Sequence, residues 1–234
     1  MNQLETYNSF MPKIIPKANL FSAELNNAIA QSKYVFLGEM HGAKEDADVL
    51  YSLVKHYNVK NLAIEYDIAF KPFLDSCIEN KPDFSLVDYE YFIGSVVSLE
   101  VAKTIAIMIQ QGIIENLYYI GNDEEQEVAD KIMTIKQDAP IFCLRGNWHT
   151  LPYIFKEKGQ PDFKSSYLIV KGKFPDSVNI EYKIQSGAIY NLGNGIMPFD
   201  DIENPKAEYQ IIKSNKYPDY YELIIPKAAP IWHN

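Results

Sequence analysis

The sequence predicts an α/β fold: a central, mainly parallel sheet flanked by helices, with antiparallel strands added from the C-terminal third. Three observations carry this. Short apolar runs alternate with helical patterns between residues 34 and 144, and these runs end in turns built on glycine or a carboxylate. Beyond Pro161 the texture changes to the alternation of sheet strands.

Taken in order, residues 1–18 hold a few apolar residues beside Pro12 and Pro16 and read as an irregular N-terminal arm on the core. Leu20 to Ala30 reads as a helix, with Leu20, Ala23, Leu25 and Ile29 as its apolar positions. Tyr34 to Leu37 is an aromatic and β-branched run suited to a buried parallel strand. Gly38 ends it, and Glu39-Met40-His41 follows directly, before Gly42 lets the chain turn. Glu45, Asp46 and Asp48 favour the first turn of a helix through its dipole, and Ala47, Leu50, Tyr51 and Val54 carry the helical spacing on to His56. Asn61 to Glu65 is the second strand, again ending in a carboxylate.

Ile68 to Ile78 is helical, with Pro72 early in it or kinking it. Phe84 to Phe92 is aromatic and acidic, a loop or helix that could serve as a lid or pocket wall, and Val96 to Gln111 is an apolar helix. Leu117 to Ile120 is a third strand, Glu124 to Lys136 a helix, and Ile141 to Leu144 a fourth strand running into Arg145-Gly146-Asn147-Trp148-His149. Tyr167–Val170, Val178–Tyr182 and Tyr221–Ile225 read as further strands, with 186–206 a long connection.

A chain of 234 residues can build one sizeable core, so a single domain over 1–234 is expected. Net charge is −9, which argues against nucleic acid or an anionic membrane as partner. Cys77 and Cys143 sit in apolar stretches and read as reduced packing residues. No basic region followed by an apolar stretch opens the sequence and no apolar run is long enough to span a bilayer, so a cytoplasmic location is expected. A small-molecule substrate is the expected partner, with oligomerisation left open.

Of the four histidines, His41 and His149 directly follow strands, in the turns GEMH and GNWH. If those strands are parallel neighbours, both imidazoles reach one rim together with Glu39 and Glu65. Such a set can bind a divalent metal such as zinc or manganese through His41, His149, Glu65 and Glu39. It can equally do metal-free acid–base work: one His activates water, a Glu fixes its tautomer, and the second His steadies an oxyanion with help from Asn147. Four such groups at one edge would be costly to gather without a task. Glu39 could instead cap a helix and Glu65 pair with Arg145, while His56 and His233 read as ordinary surface or core residues. Tyr66, Tyr89, Tyr91 and Tyr153 could line a pocket, and Asp123-Glu124-Glu125 is most simply a helix start.

VFLGEMHG, a helix, LAIEYD and the later GNWH together resemble the erythromycin esterase and ChaN-like superfamily, to which the TIKI/TraB metalloproteases are thought related. The resemblance covers about residues 33–155; the spacing in GEMH is closer to the ChaN-like haem-uptake branch than to the esterase branch. It implies a parallel sheet whose rim carries Glu39, His41, Glu65 and His149. The expectation is therefore a hydrolase acting on an ester, or less favourably an amide. His41 would be its base, Glu65 and Glu39 would orient it, and His149 and Asn147 would steady the intermediate. Arg145 and Asp67 join Asn147 as substrate-binding candidates. The alternatives are a haem- or iron-binding protein of the ChaN type, or a scaffold with the same fold and no turnover.

Overall fold

In a computed structural model, residues 3–15, 20–87, 98–191, 195–199 and 206–231 are described. Strand β1 (Tyr34–Glu39) is buried along its whole length. Its alternate side chains enter two different cores. Val35 and Leu37 pack toward one face, with Leu50 of α3 (Glu45–His56), Leu74 of α4 (Lys71–Ile78) and Ile105 of α5 (Leu99–Gln110). Tyr34 and Phe36 pack toward the other, with Val128 and Ile132 of α6 (Glu125–Thr134) and Tyr167 and Val170 of α7 (Ser166–Lys173). Each fully buried side chain of this size contributes about 1.5–3 kcal/mol. A one-residue slip would exchange the two sets, so the register of β1 is firmly held.

The remaining strands are β2 (Asn61–Ile64), β3 (Asn116–Tyr119), β4 (Ile141–Gly146), β5 (Val178–Ile184), β6 (Gly187–Asn191), β7 (Gly195–Phe199), β8 (Gln210–Lys213) and β9 (Tyr220–Ile225). Among the described residues, seven of these nine strands form a sheet of order β3-β2-β4-β1-β5-β9-β8, parallel except for β8 against β9, while β6 and β7 pair as an antiparallel hairpin. The connection leaving β1 runs through α3 to β2 on one side; the connection leaving β4 runs through α7 to β5 on the other. Two adjacent strands whose exits diverge leave a crevice at their carboxyl ends, the place where open parallel sheets bind ligands. Glu39 is aligned with Gly146 there.

Several segments differ from expectation. Residues 167–170 belong to helix α7, not a strand. A four-residue apolar run fits either element, and here Ser165 caps the helix by accepting the Leu168 N–H while Lys171 and Lys173 occupy its last turn. The N-terminal arm contains a short helix, α1 (Gln3–Ser9), anchored by the buried Tyr7, whose hydroxyl donates to the Cys77 carbonyl. The helix expected over Leu20 to Ala30 is present as α2 (Ala23–Gln31), its start moved to where Ser22 caps it. The described part of 186–206 is the β6–β7 hairpin rather than a plain connection. Tyr89, Tyr91, His233 and the segment 88–97 lie outside the described residues. Cys77 and Cys143 are free and buried, and among the described residues no helix is long and apolar enough to cross a membrane.

Candidate functional site

β1 ends in Glu39, and two residues later His41 adopts a positive φ of 35°, followed by Gly42 at 91°. A histidine in the left-handed region is uncommon and is retained where the surroundings impose it. The C-terminal part of the chain does so here. The Tyr190 and Ile231 N–H groups both donate to the Gly42 carbonyl, and Lys44 N–H donates to the Ala229 carbonyl. A Cβ on Gly42 would collide with the Tyr190 carbonyl, so only glycine fits under this clamp.

The turn aims His41 across the crevice. Its Nδ1 lies 3.1 Å from Glu39 Oε1, and its other face rests on Gly146 so closely that a side chain there would strike Nε2. Nε2 has no hydrogen-bond partner among the described residues, and 28% of the side-chain surface remains accessible. Burial acts to lower the His41 pKa, but the carboxylates of Glu39, Glu65 and Asp46 outweigh it and push the value up to about 9. Asp46, buried behind Glu39, is held well above the usual carboxylate range by burial and then by the charge of Glu39.

Gly146 links His41 to the second group. Its N–H donates to Glu65 Oε2 at 2.6 Å, and Glu65 Oε1 faces His149 Nε2 at 3.3 Å. His149 Nδ1 in turn bonds Glu125 Oε1, so both ring nitrogens meet carboxylate oxygens. Arg145, wholly buried, lies 3.6 Å from Glu65, 3.5 Å from Glu125, and donates to Ser166 Oγ at 2.7 Å. Glu125 also accepts the Ser166 N–H at the start of α7. Burial would raise the Glu125 pKa, but the His149 hydrogen bond and the Arg145 charge bring it below the ordinary value.

The expected set thus comes together at one rim: Glu39, His41, Glu65 and His149. Asn147 joins it, its amide resting on the Met40 sulfur at 3.2 Å, a weak acceptor. Two residues fall outside the crevice. Asp67 is exposed and caps the turn after β2 by accepting the Ala69 N–H at 2.7 Å. Arg145 is enclosed between two glutamates with no solvent-facing surface. Glu125 is the residue that sequence reasoning missed. It stands in an acidic helix start, where nothing local marks one carboxylate from the next. The four proposed metal ligands engage one another pairwise. Among the described residues no group of three His, Cys, Asp or Glu is arranged to hold a metal ion.

Tyr66 is buried deep in the core, Tyr153 is exposed and stacks on Tyr217, and His56 stacks on Phe21 at 3.6 Å. No protein-family description and no curated protein matches the sequence. Among solved structures, the chain is similar to a crystal structure of a Bacillus cereus protein, 12% identical over 100% of both chains with a TM-score of 0.59. At that identity the likeness shows the fold alone.

Proposed function

We propose that this chain is a hydrolase of ester bonds in which His41 transfers the proton. The observation that carries the reading is the asymmetry of the two imidazoles. His149 is hydrogen-bonded through Nδ1 to Glu125 and has Glu65 3.3 Å from Nε2, whereas His41 has a carboxylate, Glu39, only beside Nδ1, at 3.1 Å, and an Nε2 with no hydrogen-bond partner among the described residues. A ring with a carboxylate beside one nitrogen and the other nitrogen open is the arrangement that general-base catalysis needs.

In this reading a water at Nε2 gives its proton to neutral His41 as its oxygen attacks the ester carbonyl. The tetrahedral intermediate collapses, the alcohol leaves, and His41 returns the proton to the departing oxygen. Asn147 Nδ2 exchanges the Met40 sulfur for the developing oxyanion, a stronger acceptor. In this reading His149 does not serve that oxygen: its Nδ1 is hydrogen-bonded to Glu125 and its Nε2 lies 3.3 Å from Glu65. With a pKa of about 9, only about one His41 in a hundred is neutral at pH 7, so the reaction is favoured by mild alkali.

The test is a panel of chromogenic esters assayed with wild type and His41→Ala. A loss of at least a hundredfold in kcat/KM supports the reading; equal rates for the two proteins overturn it.

A further inference from the structure

We infer that Glu125 is a positioning residue of this site: from the first turn of α6 it fixes the ring of His149 and, through it, the carboxylate of Glu65 and the floor beneath His41. The inference rests on the hydrolase reading for its kinetic consequence but on geometry alone for the positioning. Both Glu125 oxygens are used: Oε1 holds His149 Nδ1, and Oε2 takes the Ser166 N–H and lies 3.5 Å from Arg145. With only 13% of its side-chain surface accessible, and three cationic or N–H partners around it, Glu125 has little freedom to move.

The consequences run in one direction across the rim. Fixing Nδ1 leaves Nε2 as the nitrogen that can face Glu65, at 3.3 Å. Glu65 is almost wholly enclosed, and His149 is the only partner within ion-pair distance of its Oε1 among the described residues. Its Oε2 holds the Gly146 N–H, and Gly146 is the surface on which the His41 ring lies. Without Glu125, the His149 ring, which keeps 21% of its surface accessible, is free to turn outward. Glu65 Oε1 then loses the ring that faces it while remaining buried, a costly arrangement that the rim relieves by shifting. A displacement of about 1 Å at a reacting group can cost about a hundredfold in rate.

The substitution Glu125→Gln keeps the size and removes the charge. Its partner in the experiment is Val128→Ala, which removes core packing from the same helix and touches none of the rim. Two readouts are taken on each protein. The first is the ring proton of His149 in 15N-histidine NMR: a far-downfield Nδ1 resonance is expected in wild type and Val128→Ala and is expected to vanish in Glu125→Gln. The second is the split of kcat and KM on the best ester: kcat is expected to fall between tenfold and a hundredfold in Glu125→Gln with KM within twofold, and to stay unchanged in Val128→Ala. Absence of the downfield proton in wild type, or its survival in Glu125→Gln, overturns the positioning role. Equal loss of kcat in both variants also overturns it, since the effect is then one of stability. If the proton behaves as stated but no ester is turned over by wild type, the hydrolase reading fails and the positioning role stands.

Discussion

The imidazole of His41 lies directly on the α-carbon of Gly146, although the two residues belong to different strand ends. This contact joins the β1 and β4 turns into one crevice, and it leaves no room for a side chain. Gly146 itself has φ −56° and ψ 145°, values any residue adopts, so Gly146→Ala strains no backbone. The variant is expected to fold with a stability change of about 1–3 kcal/mol from overpacking and to lose about a hundredfold in kcat/KM as the ring is displaced. Thermal unfolding and ester kinetics on the same preparation check this.

Glu39 is the largest charge acting to keep His41 protonated, with Glu65 and Asp46 behind it. In Glu39→Gln the His41 pKa is expected to drop from about 9 part of the way to 6.5, read from the ring Cε1 proton by NMR titration. The stability linkage has the same origin. A pKa raised in the folded state adds stability that is complete below 6.5 and is lost as pH rises through about 9. Wild type should therefore lose Tm across that window, and Glu39→Gln should lose less.

The depressed pKa of Glu125 acts at the other end of the scale. A carboxyl held below its unfolded value of 4.5 contributes stability above that pH, and the contribution is lost as pH falls through the folded value. Removing the charge also leaves Arg145 buried with fewer partners, which costs about 3–5 kcal/mol. Glu125→Gln is accordingly expected to have a lower Tm at pH 7 and a flatter decline below pH 4.5 than wild type, by calorimetry across that range.

Asp67 offers the contrasting case. Its side chain caps a short turn on the surface, so Asp67→Ala is expected to cost about 1 kcal/mol of stability and nothing in kcat/KM. A large rate loss in that variant would place it in the substrate site after all.

The parallel half of the fold and four rim residues were legible because strand–helix periodicity places every strand end on one edge. Glu39 is the last residue of its strand and His41, Glu65 and His149 follow theirs by at most three residues, so the pattern that located the strands also located the groups. Glu125 was not legible: its partner lies 24 positions along the chain, and in sequence it is one acid among three at a helix start. Helix α7 was misread because four apolar residues are too few to separate a strand from a helix face. The clamp over Gly42 was hidden for another reason. It is made by backbone groups of Tyr190, Ala229 and Ile231, whose side-chain identities carry no signal of it.

The pH dependence of kcat/KM on a neutral ester is the most direct test of the assignment of His41. If this ring takes the proton from water, the rate rises tenfold per pH unit and levels near pH 9, and the inflection moves to lower pH in Glu39→Gln. A profile that is flat or falling between pH 7 and 9, or one that Glu39→Gln leaves in place, would contradict the assignment.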